Sequence, residues 1–233
     1  MYDFNGYAGS FRDACLWYCC KVMIKSKQDL ELVLSKLESF QSTTLKLEQY
    51  ATPENIAAEW IWNMALLGDV NNKVILDAAC GPGILGLAAL LMGARRVYFL
   101  DKDKDAIKIC MKNYNILKQQ FELGEAKFII EDISIFDGNV DVIIQNPPFG
   151  TKQTHADKRF LEKAFTISRT IYTMHKISTE RFVEAICNDN NFKITHLWKY
   201  DFVIKQQYYF HRKPRKNIKV GLWRLVRSQI MVL

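Results

Sequence analysis

Four short runs of almost uninterrupted apolar residues govern what this chain can fold into: KVILDAA (73–79), RVYFLD (96–101), AKFIIED (126–132) and VDVIIQN (140–146). Each is rich in β-branched and aromatic side chains; three end on polar residues, and the first carries Asp77 two residues from its end. A strand that is apolar throughout has both faces covered, and sheets covered on both faces are parallel sheets with helices packed above and below. The intervening segments 85–91 and 104–118 have apolar residues at helical spacing. Strand, helix, strand, helix in that order predicts a doubly wound α/β sheet.

The pattern continues downstream with a helix over 158–168, a strand over 170–174, a helix over 179–190 and two long β runs, 192–205 and 217–226. These last two flank the basic segment HRKPRK and predict a terminal antiparallel hairpin. Upstream, Leu30, Val33, Leu34 and Leu37 share one face of an amphipathic helix within 26–40. The chain has 233 residues, which fits one domain over 23–233 preceded by an extension, 1–22, of uncertain role. Met23 would itself make a sensible start, so residues 1–22 are expected to be dispensable.

Apolar residues make up 49% of the chain and charged residues 24%, which excludes a disordered chain. The longest uncharged stretch, 78–94, is too short for a bilayer and is broken by Gly81, Pro82, Gly83 and Gly86, so no membrane span is expected. Cys15, Cys19, Cys20, Cys80, Cys110 and Cys187 form no regular framework and no paired metal-ligand spacing. A reduced, cytoplasmic setting with no bound metal is the expectation. The net charge of +7 is unevenly placed: from Phe192 to Leu233 ten Lys or Arg face one acid, Asp201, a balance of +9 that leaves residues 1–191 at −2. A polyanion is the natural partner of such an end, with Arg212, Lys213, Arg215 and Lys216 on a Pro214-stiffened tip and Lys152 as a further contact.

Candidate site residues fall at the C-terminal ends of the predicted strands, where open α/β sheets bind their ligands. DAACGPG (77–83) joins a strand to a helix, and its glycines let the backbone turn tightly beside a ligand. Asp77 opens this cradle. Asp101, at the end of the next strand, can accept both hydroxyls of a ribose, and Asp132-Ile133 can take the amine of an adenine and cover its ring. After the fourth run comes Asn146-Pro147-Pro148-Phe149. The prolines donate no N–H, so the turn presents acceptors, the Asn146 side-chain oxygen and the Pro147 carbonyl, beside an aromatic face. That combination suits a planar molecule bearing an NH₂ group, because both N–H bonds are held while the nitrogen lone pair stays free to attack.

Together these motifs resemble the seven-stranded S-adenosylmethionine-dependent methyltransferases that act on amino groups. Within them, LEQYATP (47–53), NPPFGTK (146–152), MHKIST (174–179) and the Tyr-x-Phe-His-basic hairpin (208–216) are similar to the ribosomal RNA adenine-N6 methyltransferases of the methyltransferase-like protein 5 family. The resemblance implies a Rossmann-like sheet of order 3-2-1-4-5-7-6 with its last-but-one strand antiparallel. It places Gln49 and Thr52 at the methionine end of the cofactor, Ala79, Pro82 and Ile84 in the glycine-rich loop, Asp101 on ribose and Asp132-Ile133 on adenine. Ala79 and Pro82 depart from the family's pattern, standing where it usually has a glycine and a small or Cys residue.

The reading is an enzyme that moves a methyl group from S-adenosylmethionine to the N6 amino group of an adenine in structured RNA, small-subunit ribosomal RNA in the first place. Asn146, Pro147, Pro148 and Phe149 hold the base. A glutamine-N5 protein methyltransferase and a non-catalytic RNA-binding module are the alternatives. The family's eukaryotic members use a small zinc-binding activator protein on an edge strand, so the resemblance implies such a partner, or self-association, along Ala126 to Asp132.

Overall fold

The computed structural model describes residues 23–40, 52–148, 156–205 and 215–228. The four apolar runs become strands β1 (Val74–Ala78), β2 (Arg96–Asp101), β3 (Glu125–Ile130) and β4 (Val142–Gln145), followed by β5 (Thr170–Lys176), β6 (Phe192–Lys205) and β7 (Arg215–Arg227). Their order across one sheet is β3-β2-β1-β4-β5-β7-β6. Only the pairings of β7, with β5 and with β6, are antiparallel. The expected seven-stranded order is therefore found, with β7 as the reversed strand.

Helices cover both faces of the sheet, and alternate side chains of each strand point into one cluster or the other. Ile75 and Ile144 join one buried cluster, with helices α1 (Lys27–Leu34), α2 (Glu54–Leu66), α3 (Ile84–Leu91) and α4 (Lys104–Lys118). Leu76 and Ile143 join the other, with α5 (Ala156–Ile167) and α6 (Glu180–Asp189). The winding reverses between β1, which leads outward to β2 and β3, and β4, which starts the other half. Open α/β sheets bind their ligands at such a switch point, above the C-terminal ends of the two strands, here β1 and β4.

Helix α2 has no counterpart in the sequence reading. Ile56, Ala57, Ala58, Trp60, Ile61 and Met64 are all buried along it, and Trp62 and Ala65 are half-buried. A helix apolar around most of its circumference has little contrast between faces, and this one is wedged between α1 and α3. Other boundaries move by a few residues. The first helix ends at Leu34 after a Ser26 cap whose hydroxyl accepts from the Asp29 N–H. Strand β3 stops at Ile130, so Asp132 caps a short 3₁₀ turn, Ile133–Ile135, instead of ending a strand. Among the described residues no helix is long and apolar enough to cross a membrane.

Candidate active site

The chain leaves β1 through Ala79 (φ 59°), Gly81 (φ 54°) and Gly83 (φ 87°) before entering α3. Three left-handed residues in five positions curl the loop back over the strand ends. Ala79 keeps the conformation that a glycine would adopt freely, at a cost of about 1 kcal/mol for its Cβ. The glycines are required by contact as well as by angle. A Cβ on Gly83 would stand 2.3 Å from Cys110 Sγ, and one on Gly86 would stand 2.4 Å from the Phe99 ring. Helix α3 consequently lies close against β2 and α4.

Both carboxylates of the cradle brace this loop. Asp77, 1% exposed, accepts the Gly86 N–H at 2.8 Å and ties α3 to β1. Asp101, 9% exposed, accepts the Gly81 N–H on one oxygen and the Asp103 N–H on the other, each at 2.9 Å. Each Asp101 oxygen keeps a further lone pair, so the ribose role read from the sequence remains open to it. Burial pushes the Asp77 carboxyl up to about 7; the Gly86 N–H opposes this and the neighbouring Asp101 charge adds to it. Burial raises Asp101 too, against its two backbone N–H bonds. A recess with two buried carboxyls, glycine-lined backbone and spare acceptors suits a hydroxyl-bearing nucleoside that brings positive charge.

Asn113, a residue the sequence reading did not single out, clamps this cradle from α4. It is 1% exposed; its Nδ2 donates to the carbonyls of Pro82 and Glu38, and its Oδ1 accepts the Glu38 N–H at 2.9 Å. The clamp holds residues 38–40 over the loop, where the Phe40 ring meets Gly81. Its signal was present: Asn113 continues the apolar stripe of Ile107 and Cys110 on α4, and a polar residue on an apolar stripe needs buried partners. Ile84 is half-buried as the first residue of α3, and Pro82 is buried.

Toward β3, Asp132 accepts the Ser134 N–H at 3.0 Å and faces Arg159 at 3.4 Å. The Ser134 hydrogen bonds hold its carboxyl below the usual range, with a smaller contribution from Arg159. Ile133 departs from expectation. Its side chain is 3% exposed and belongs to the core with Leu100 and Phe136, so it does not lie open over a ring site. A 3₁₀ turn, unlike a continued strand, points Ile133 inward and leaves Asp132 at the rim.

At the end of β4 the structure brings together residues far apart in sequence. Asn146 Nδ2 donates to Thr52 Oγ1 at 3.0 Å, across 94 positions. Asn146 Oδ1 is buried and has no hydrogen-bond partner among the described residues. Pro147 is buried and Pro148 half-buried beside it. One residue back, on the opposite sheet face, Gln145 donates to Thr173 Oγ1 at 3.1 Å, and that hydroxyl lies 2.7 Å from His175 Nε2. Gln145, Thr173 and His175 are all at most 2% exposed. Of the MHKIST signature recorded from the sequence, His175 alone joins this buried polar string behind the Asn146 turn, while Lys176 to Thr179 lie nearer the surface.

Gln49, Phe149, Lys152, Arg212 and Lys213 lie outside the described residues. Arg215 and Lys216 are the first residues of β7, paired with Lys205 and Ile204, and so belong to the strand and not to the loop at the tip.

The sequence profile of the methyltransferase small domain matches residues 63–171, from within α2 to the start of β5. The uncharacterized protein MJ0284 of Methanocaldococcus jannaschii is 34% identical over 215 residues, covering 87% of this chain and 94% of that protein. The rRNA N(6)-adenosine-methyltransferase Mettl5 of Drosophila melanogaster is 30% identical over 203 residues, covering 84% of this chain and 93% of that protein. Among solved structures, the candidate RNA methyltransferase PH1948 of Pyrococcus horikoshii matches with a TM-score of 0.79 at 38% identity, over 89% of this chain and 100% of that chain. With the sheet order, the glycine cradle and the Asn-Pro-Pro turn in their expected places, the chain belongs to the methyltransferase-like protein 5 family and is an S-adenosylmethionine-dependent methyltransferase.

Proposed function

We propose that this enzyme methylates the N6 amino group of an adenine in structured RNA, with small-subunit ribosomal RNA as its substrate. One observation carries the reading: a buried amide oxygen, Asn146 Oδ1, stands without a partner at the end of β4, while the nitrogen of the same amide is already used. Buried acceptors are rarely left unpaired, and one at a strand end beside the glycine cradle is placed where a ligand can complete its bonding. An exocyclic NH₂ supplies the missing donor. The names of the Drosophila relative and its zebrafish counterpart, both rRNA N(6)-adenosine-methyltransferases, support adenine in ribosomal RNA as the target.

Asp101 and the loop from Ala79 to Ile84 hold the nucleoside end of the cofactor, with Asp77 bracing the loop, Asp132 at the adenine rim, and Gln49 and Thr52 toward the methionine end. When bound, the cofactor supplies an electrophilic methyl group on a positively charged sulfur. Asn146 Oδ1 and the Pro147 carbonyl each accept one N–H of the target amine, which aims the nitrogen lone pair away from the turn. Phe149 stacks on the extruded base, and Pro148 fixes the step between them. The amine would become acidic only as its new N–C bond formed and the methyl–sulfur bond broke, so its proton, held until then by Asn146 Oδ1 or the Pro147 carbonyl, would pass to water and no strong base is required.

Arg212, Lys213, Arg215, Lys216 and Lys152 provide the phosphate contacts. Replacing the four hairpin cations by Gln is expected to weaken RNA binding across sequences and to lower the salt slope by roughly 0.7 for each lost single-strand phosphate contact. Unaltered RNA affinity and salt dependence would move the RNA surface to Lys152, Lys158 and Arg159. Strand β3 lies at the sheet edge, and Ile130 and Ile135 are exposed beside it. An open edge next to apolar surface accepts an added strand, from a small zinc-binding activator protein or a second copy of this chain. A cytoplasmic setting accords with Cys80, Cys110 and Cys187 being free thiols.

The reading is tested by incubating the protein with labelled cofactor and total RNA and analysing the nucleosides. N6-methyladenosine is expected. Methylglutamine in protein would transfer the assignment to a carboxamide substrate, and cofactor binding without any product would leave an RNA-binding module.

A further inference from the structure

Helix α4 touches the cofactor cradle at two successive turns. Cys110 stands against Gly83, and one turn on, Asn113 Nδ2 donates to the neighbouring Pro82 carbonyl at 3.1 Å. The same nitrogen donates to the Glu38 carbonyl at 2.8 Å, while Oδ1 accepts the Glu38 N–H at 2.9 Å. These partners settle which end of the amide is which, because carbonyls only accept and a backbone N–H only donates. The Glu38 carboxylate also pairs with Lys112, the neighbour of Asn113 on α4.

Both arms of this amide converge on one short stretch of the loop. The first holds Pro82 directly. The second holds Glu38 and, two residues on, the half-buried Phe40, whose ring atoms lie 3.3 and 3.5 Å from the place where a Cβ of Gly81 would stand. Gly81 is in turn the residue whose N–H donates to Asp101 Oδ2 at 2.9 Å. The place of Gly81 therefore bears on where the Asp101 oxygens point. At the other end the mounting is firm: Asn113 is 1% exposed, and Ile107, Cys110 and Leu117 of the same helix are at most 3% exposed.

We propose that Asn113 is a positioning residue for the cofactor: by holding Pro82 and, through Glu38 and Phe40, Gly81, it sets the Asp101 carboxylate for the ribose hydroxyls. The inference rests on the ribose role given to Asp101 above and adds to it a residue, and a segment 38–40, that no motif marks. It also separates two roles for Asn113. A purely structural clamp would appear in stability, whereas a positioning role appears in cofactor affinity, and only while Asp101 is present to be positioned.

The test is calorimetry with S-adenosylhomocysteine, which carries the same ribose and needs neither RNA nor turnover. Asn113→Asp keeps the shape and the acceptor for the Glu38 N–H but sets oxygen against two carbonyls; Asn113→Ala replaces it if the buried charge prevents folding. Phe40→Ala loosens the Gly81 arm alone, without unpairing a buried polar group. Affinity is expected to fall roughly tenfold in the Asn113 variant, as for the loss of one neutral hydrogen bond at the upper range, and by a smaller factor in Phe40→Ala. In an Asp101→Ala background the Asn113 change should cost no more than about twofold further, because no carboxylate remains to position. Independently of any ligand, the ¹⁵N-glycine amide signal of Gly81, which Asp101→Ala displaces, should also move in the Asn113 and Phe40 variants. Wild-type affinity in the Asn113 variant, the full loss repeated on top of Asp101→Ala, or an unmoved Gly81 signal would each overturn the proposal while leaving the ribose role of Asp101 intact. Wild-type affinity in Asp101→Ala alone would instead refute that ribose role, and the positioning inference with it.

Discussion

The cradle after β1 and the turn after β4 sit side by side at one end of the sheet, yet their hydrogen bonding is managed in opposite ways. In the cradle the polar groups brace one another: Asp77 on Gly86, Asp101 on Gly81 and Asp103, Asn113 on Pro82 and Glu38. At the turn, Asn146 Oδ1 and Gln145 Oε1 are buried without partners among the described residues. On the roles proposed above, cofactor binding would meet a surface already held in shape. Base capture would meet one that lacks a donor, and a group completed only by substrate is where binding energy can be turned into rate.

The sharpest way to break this comparison is Asn146→Ala. Removing the acceptor should lower turnover by on the order of 10²-fold or more while cofactor affinity stays nearly constant, since the cradle bonds are untouched. Full activity in steady-state kinetics would reduce the turn to a structural bend. The mirror experiment, Asp101→Ala, should weaken S-adenosylmethionine binding by about 1.5 to 3 kcal/mol, read by calorimetry, because a charged acceptor is lost and the Gly81 loop loses its tie to β2. Unchanged affinity would move the ribose site away from β2.

A third test uses the cradle's own charge. The folded chain holds a proton on Asp77 up to about pH 7, against an ordinary value of 3.8. The stability linked to this group is thus fully present below the ordinary value and is lost as the pH rises through 7, at about 1.4 kcal/mol per pH unit in between. Denaturant titrations of the cofactor-free protein should show that decline, and Asp77→Asn should flatten it. The smallest effect is expected behind the turn. Thr173→Val withdraws the hydroxyl shared by Gln145 and His175 and should cost about 1 to 3 kcal/mol of stability, measured by thermal or chemical unfolding. A neutral outcome would mean that the buried string is not what supports the turn.

Much of the fold was legible because its signals are local. Near-continuous apolar runs mark β1 to β4, and the glycine spacing of 81–83 marks a tight exit from a strand. Helix α2 escaped because its apolar residues circle the axis, and what buries them is α1, α3 and the sheet, partners that a window of sequence does not contain. Ile133 misled for the related reason that its direction depends on where β3 stops. The site divides in the same way: Asp101 and Asn146 could be picked out as acidic and amide residues at strand ends, but Asn113 as a clamp could be found only by asking what a polar residue does on an apolar stripe.

The sequence by itself determined which runs become β1 to β4, the tight glycine exit at 81–83 and the proline-stiffened turn, because each depends on backbone and burial preferences within a few residues. Only the tertiary structure decided that Thr52 meets Asn146 and that Gln145, Thr173 and His175 form one string. Those meetings follow from the order in which β1, β4, β5 and β7 lie side by side and from the packing of α2 on the sheet. Such non-local contacts are fixed by burial of the whole core, so the same residues read singly carry no instruction about whom they will touch.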